Sequence, residues 1–206
     1  MAARVEPRRV QGAHQSLHHF VANADWSQED LLRQVRTFAL PAIEKSGGVK
    51  AWIVDDTGFP KKGVHSVGVA RQYCGQLGKQ DNCQIAVSLS VANEHASLPI
   101  AFRLYLPEAW AADPVRRARA GVPEDVVFKT KPQIALDEIR AARAEGVPEG
   151  VVLADAGYGI NTAFRTALTR MGLSYVVGVQ SSVRLWPPGA GPLPPKAWRG
   201  RAGRRH

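Results

Sequence analysis

Two short apolar runs, far apart in the chain, each end in aspartate. Ala51–Val54 runs into Asp55 and Asp56, and Val151–Ala154 runs into Asp155. An apolar run of this length reads as a buried strand that delivers a carboxylate to its exposed end. Sites in open α/β sheets gather at the C-terminal ends of strands, so two such strands side by side would bring their carboxylates together. Carboxylate oxygens suit Mg²⁺ (or Mn²⁺). Metals held this way can clamp the attacking and leaving oxygens of a phosphate transfer. Lys61 and Lys62 follow the first pair of acids, beyond Gly58 and Pro60, which are expected to turn the chain. On charge and position alone, Lys61, Lys62 and Arg71 are candidate phosphate contacts. Successive strand side chains point to opposite faces, so only one of Asp55 and Asp56 can face such a site, and spacing does not choose between them. Each aspartate taken singly reads equally well as a turn or cap residue. The repeated pattern is what favours chemistry.

The rest of the chain supplies elements around those strands. Residues 13–45 read as two helical pieces. Leu17, Phe20 and Val21 share a face of the first, Asp25 or Ser27 caps the second, and Pro41 bends or ends it. Ser46-Gly47-Gly48 is a break. His14, His18 and His19 lack an HExxH pattern and read as surface residues. Residues 64–82 are glycine-spaced and read as a long excursion or a hairpin. Ile85, Val87, Leu89 and Val91 alternate with small residues, as a half-buried strand does. Leu98, Ile100, Phe102, Leu104 and Leu106 alternate in turn. With Asn93-Glu94-His95 as the turn, the two form an antiparallel hairpin beside the first strand. Residues 107–130 are irregular, and Arg116, Arg117 and Arg119 read as a solvated basic run open to a phosphate. A helix from Pro132 to about Glu145, the Val151–Ala154 strand, a helix ending at Gly172 and a buried strand over 173–179 follow. The order is β-β-β-α-β-α-β: an α/β chain with a mixed sheet flanked by helices.

Charge divides the chain. The net charge of +9 suggests a polyanionic partner, yet Arg184, Lys196, Arg199, Arg201, Arg204 and Arg205 lie in a proline-rich stretch with no acid. Three regions are expected: an N-terminal helical segment over 1–48, a catalytic α/β domain over 49–183, and a disordered tail over 184–206. Cys74 and Cys83 fit neither a zinc nor a redox spacing, which points to a reducing cytoplasmic compartment. No apolar run approaches a membrane span, and the first residues lack the apolar region of a secretion signal.

The stretches VDDTGFPKKGVHSVGVARQYCGQLGKQDNCQIAVSLSVAN, LYLPEAW, GVPEDVVFKTKPQIAL and VVLADAGYG together resemble the DDE transposases of bacterial insertion sequences, in the branch of DDE superfamily endonucleases. The resemblance covers roughly residues 20–186. It implies an RNase H-like fold, metal-dependent cleavage and strand transfer at transposon ends, a bacterial, nucleoid-associated protein, and a homodimer formed on DNA. The family's first acid directly precedes a threonine, which selects Asp56 before Thr57 as catalytic and metal-binding. Its second acid selects Asp155 in LADAGYG. Its third, a glutamate on a later helix beyond an inserted β-rich region, has no counterpart before the chain stops in the stretch after Trp186. Helices that bind DNA are expected ahead of residue 1. The sequence therefore reads as a truncated or frameshifted transposase, its tail an out-of-frame stretch or a DNA arm.

Two other readings compete. A non-catalytic DNA-binding remnant would fit the absent third acid and the basic tail. A phosphatase of the haloacid dehalogenase type also places aspartates after an apolar strand, but one residue separates its two acids, whereas Asp55 and Asp56 are adjacent.

Overall fold

The computed structural model describes residue 4, residues 6–184, 186–187 and 189–191. The basic tail residues Lys196, Arg199, Arg201, Arg204 and Arg205 lie outside the described residues. Two helices, α1 (Val10–Asn23) and α2 (Gln28–Lys45), precede β1 (Ala51–Pro60), β2 (Ala70–Cys74), β3 (Lys79–Ala92) and β4 (Ser97–Leu104). The short helices α3 (Glu108–Ala111) and α4 (Pro114–Arg119) follow, then α5 (Lys131–Ala144), β5 (Val151–Ala154), α6 (Ala156–Gly159), α7 (Thr162–Arg170) and β6 (Tyr175–Val177). The strands form one six-stranded sheet in the order β2-β3-β1-β5-β6, with β4 also paired to β3. Pairing is antiparallel from β1 to β3 and from β3 to β2 and β4, and parallel from β1 to β5 to β6. This is the mixed, helix-flanked sheet expected.

Local sequence explains the boundaries. Ser27 caps α2, its Oγ accepting from the Asp30 amide at 3.1 Å. Thr130 and Gln133 form a capping box at the start of α5, and Asn161 caps α7. Gly47, Gly48, Gly146 and Gly172 take positive φ where helices end. Pro41 sits inside α2 without ending it.

The main core lies on one face of the sheet. Trp52, Val54, Val87, Leu89, Val91 and Val152 pack there against Ile43 of α2, Ile134 and Ile139 of α5, and Phe164 and Leu168 of α7. Trp52 donates its Nε1 proton to the Pro148 carbonyl at 2.8 Å, so its polar atom is satisfied inside the core. A smaller cluster joins Val69, Leu106 and Trp110.

Several expectations need correction. Gly58 and Pro60 do not turn the chain; β1 continues through both. Gly58 is required by crowding, since a Cβ there would lie 2.9 Å from Cys74 Sγ. Of the two readings of residues 64–82 the hairpin is the one observed, and only the strand count changes, since β2 becomes a fourth strand before α5. The strand through Ile85–Val91 is not half-buried: Ala86, Ser88 and Ala92 are buried too, because β3 is flanked by strands on both edges and small side chains sink between neighbours. A bulge opposite Leu89/Ser90 breaks the alternation of β4, so Ile100 enters the core while Phe102 and Leu104 are exposed. The segment 107–130 contains α3 and α4. The last strand is a three-residue edge, with Val176 65% exposed.

The helices also guard one sheet edge. Gln28 and Arg36 of α2 donate to the carbonyls of Phe102 and Ile100 in β4, at 2.7 and 3.0 Å. Helix α1 buries none of its residues; Phe20 stacks on Trp26, and His14, His18 and His19 are exposed.

Candidate active site

β1 carries both of its acids inside the strand, so alternation separates them. Asp56 pairs with Val87 and points to the core face, like Trp52 and Val54. Asp55 pairs with Ser88 on the opposite face and is exposed; its Oδ1 accepts from the Asp56 amide at 2.7 Å. The parallel register places Val54 beside Ala154, so the chain reaches Asp155 at the neighbouring strand end. There Asp155 caps α6, its Oδ1 accepting from the Gly157 and Tyr158 amides at 2.9 and 3.3 Å. Oδ2 receives no hydrogen bond from the described residues.

Tyr158 ties the two acids together. Its amide binds Asp155, and its hydroxyl donates to Asp56 Oδ1. The side chain is buried against Phe164, with ring centroids 5.8 Å apart. Burial, and next the neighbouring Asp56 carboxylate, push the phenol far above the usual tyrosine range. Tyr158 therefore stays protonated and acts as a donor. The close packing of α6 on the end of β6 fixes this arrangement: a Cβ at Gly159 would lie 1.8 Å from the Gly178 carbonyl oxygen.

The other oxygen of Asp56 is held by Lys131. Its Nζ lies 2.5 Å from Oδ2, with both side chains about one-third exposed (30% and 29%). The ammonium also lies 5.7 Å from the centroid of the Tyr105 ring. Lysine in the first turn of a helix opposes the helix dipole by about 0.3–1 kcal/mol, so Lys131 owes its place to Asp56 rather than to α5. Neither Lys131 nor Tyr158 stood out in the sequence as a site residue. Both lie in the family-like stretches, and a lysine at a helix start, against the dipole, was the available signal.

The remaining candidates stay apart from the two acids. Lys61 and Lys62 are exposed in the loop after β1, a loop pinned by Asn82, whose Nδ2 donates to the carbonyls of Lys61 and Gly63 at 2.8 Å each. Arg71 is exposed on β2, across β3 from β1. The basic run on α4 divides: Arg117 donates to the carbonyls of Ala111, Pro123 and Glu124. Arg116 lies over Trp110, 3.6 Å from the ring centroid, and donates to Val64 O. Arg119 remains exposed. A cavity of about 610 Å³ between α2, β4 and α5 holds neither aspartate; Glu138 on its wall is paired with Arg103 at 2.7 Å. Cys74 and Cys83 are free and buried, and burial raises the Cys83 thiol above its usual range.

A mixed sheet that brings an acid within one strand near an acid at the end of its parallel neighbour fits nucleic-acid-processing folds of one family. The family model of the DDE superfamily endonucleases matches residues 1–206, and the chain belongs to that family. The probable transposase for insertion sequence element IS701 of Microchaete diplosiphon is 34% identical over 171 residues, which cover 82% of this chain and 41% of that protein. The chain thus spans less than half the length of this curated relative. No solved structure matches it.

The carboxylates of Asp56 and Asp155 carry hard oxygens of the kind a divalent cation prefers. Among the described residues, no group of three His, Cys, Asp or Glu side chains is placed to hold a metal. No helix among them is long and apolar enough to cross a membrane.

Proposed function

We propose that this chain is the catalytic portion of a DDE transposase and contributes two acids to metal-dependent DNA cleavage and strand transfer. The observation that carries this reading is the linkage, through Tyr158, of Asp56 within β1 and Asp155 just past the end of the adjacent parallel strand β5. Asp56 and Asp155 would hold the metal, Mg²⁺ or Mn²⁺, which supplies Lewis-acid charge to a phosphodiester. Tyr158 orients Asp56 by donating to one oxygen, and the amides of α6 fix the rotamer of Asp155. Lys61, Lys62 and Arg71 steady phosphates of the transposon ends and the target. Arg119 adds a further exposed cation beside the loop that Arg116 anchors.

Substituting Asp155 by Asn tests the assignment, because asparagine caps a helix as well as aspartate and leaves α6 intact. In the full-length relative, the matching change is expected to abolish Mg²⁺-dependent cleavage of transposon-end DNA while folding is retained. Undiminished cleavage would remove Asp155 from the site.

Among the described residues no third acid joins Asp56 and Asp155, which favours a second reading, a DNA-binding remnant without catalysis. That reading requires Mn²⁺ to bind no better to this chain than to its Asp155→Asn variant. Binding to DNA would then be indifferent to sequence and fall steeply with salt.

A further inference from the structure

Both oxygens of Asp56 already have partners: the Tyr158 hydroxyl on Oδ1 and the Lys131 ammonium on Oδ2. Each oxygen keeps a second lone pair, so what opposes a cation here is the crowding of these two partners and, at Oδ2, the like charge of the ammonium. Tyr158 is 2% exposed and wedged against Phe164, and its amide is tied to Asp155. Lys131 is different. Its backbone is fixed by the capping box of Thr130 and Gln133, but its side chain is a flexible four-carbon stem, 30% exposed. The face of Tyr105, 5.7 Å from Nζ, lies within the range at which an aromatic ring attracts an ammonium, and so offers a second station.

We propose that Lys131 is a resident counter-cation: it neutralises Asp56 in the resting protein and competes with the divalent metal for Oδ2. The proposal rests on Asp56 being a metal ligand. It has a consequence for the order of loading. A displaced ammonium lacks an anion until a phosphate arrives, so Lys131 couples metal binding to DNA binding, and each favours the other. The site is thereby biased to load metal when a phosphodiester is present.

The test is Mn²⁺ binding measured by calorimetry on this chain, with and without a short DNA duplex, for the wild type, Lys131→Met, Lys131→Gln and Asp56→Asn. The glutamine variant keeps a polar side chain should methionine disturb the fold. Without DNA, both Lys131 variants are expected to bind Mn²⁺ about five- to tenfold more tightly than the wild type, the scale of losing one partly exposed charge competitor. DNA is expected to strengthen Mn²⁺ binding more in the wild type than in either variant. Equal or weaker Mn²⁺ binding by the Lys131 variants, with binding still abolished by Asp56→Asn, overturns the proposal and leaves Asp56 as a ligand. Binding that survives Asp56→Asn, or no binding by any form, overturns the reading of Asp56 and the proposal with it.

Discussion

On one face of the sheet, Trp52, Val54, Val87, Leu89, Val91 and Val152 are sealed beneath α2, α5 and α7. On the other, Ile53 and Leu153 are partly exposed beside the small residues Ala86, Ser88 and Ala92, and Phe102 and Val176 are open. The same strands thus build a face that holds the fold together and a face that contributes little to it. Asp55 and Asp56 are adjacent in sequence and fall on different sides of this division. Asp56 has its partners, Lys131 of α5 and Tyr158 of α6, because it points to the face on which these helices pack.

The largest expected contrast is in stability. Trp52→Ala is expected to lower the unfolding free energy by about 3–5 kcal/mol, and Ile53→Ala by much less, in urea titrations monitored by circular dichroism. Equal losses would show that the second face is covered in solution.

Next is Tyr158→Phe, which removes a hydrogen bond to a carboxylate and is expected to cost about 1.5–3 kcal/mol at neutral pH. It should also change the alkaline limb. The folded phenol is raised above its unfolded value, so its contribution is fully present below about pH 10, where a free tyrosine ionises. That contribution is lost as pH climbs beyond that point. Wild-type stability is therefore expected to fall more steeply above about pH 10 than that of Tyr158→Phe. Parallel curves would mean that burial and the neighbouring Asp56 do not raise the folded phenol.

A smaller effect separates the two substitutions at Asp155. Asp155→Ala loses the cap of α6 and should cost about 0.5–2 kcal/mol, whereas Asp155→Asn should keep the stability and lose the metal. Smallest is Asp55→Asn, expected within about 0.5 kcal/mol of wild type, with Mn²⁺ binding unchanged. A strong effect on Mn²⁺ binding there would add a third ligand, on the open face.

The two acid-bearing strands, the β3–β4 hairpin, and α5 and α7 were legible because apolar periodicity and caps are local signals. Strand β2 was legible only as one of two readings, the hairpin over 64–82: Ala70, Arg71, Gln72 and Tyr73 show no apolar alternation, and β3 offers the edge on which the strand forms. The role of Gly58 was hidden for a similar reason, since Cys74 crowds it only after the chain folds back. At the site, Asp56 and Asp155 could be named from pattern and resemblance. Lys131 and Tyr158 reach Asp56 across 75 and 102 residues of sequence, and no spacing rule spans that distance.

The grip of α2 on β4 has a protective consequence. Exposed strands recruit strands from other molecules through unanswered backbone groups. Here a glutamine and an arginine occupy two carbonyls of β4, and Pro99 withholds an amide from the same strand. A foreign strand arriving on this flank finds few places to bond. If α2 peeled away, the flank would become adhesive, and aggregation would begin there.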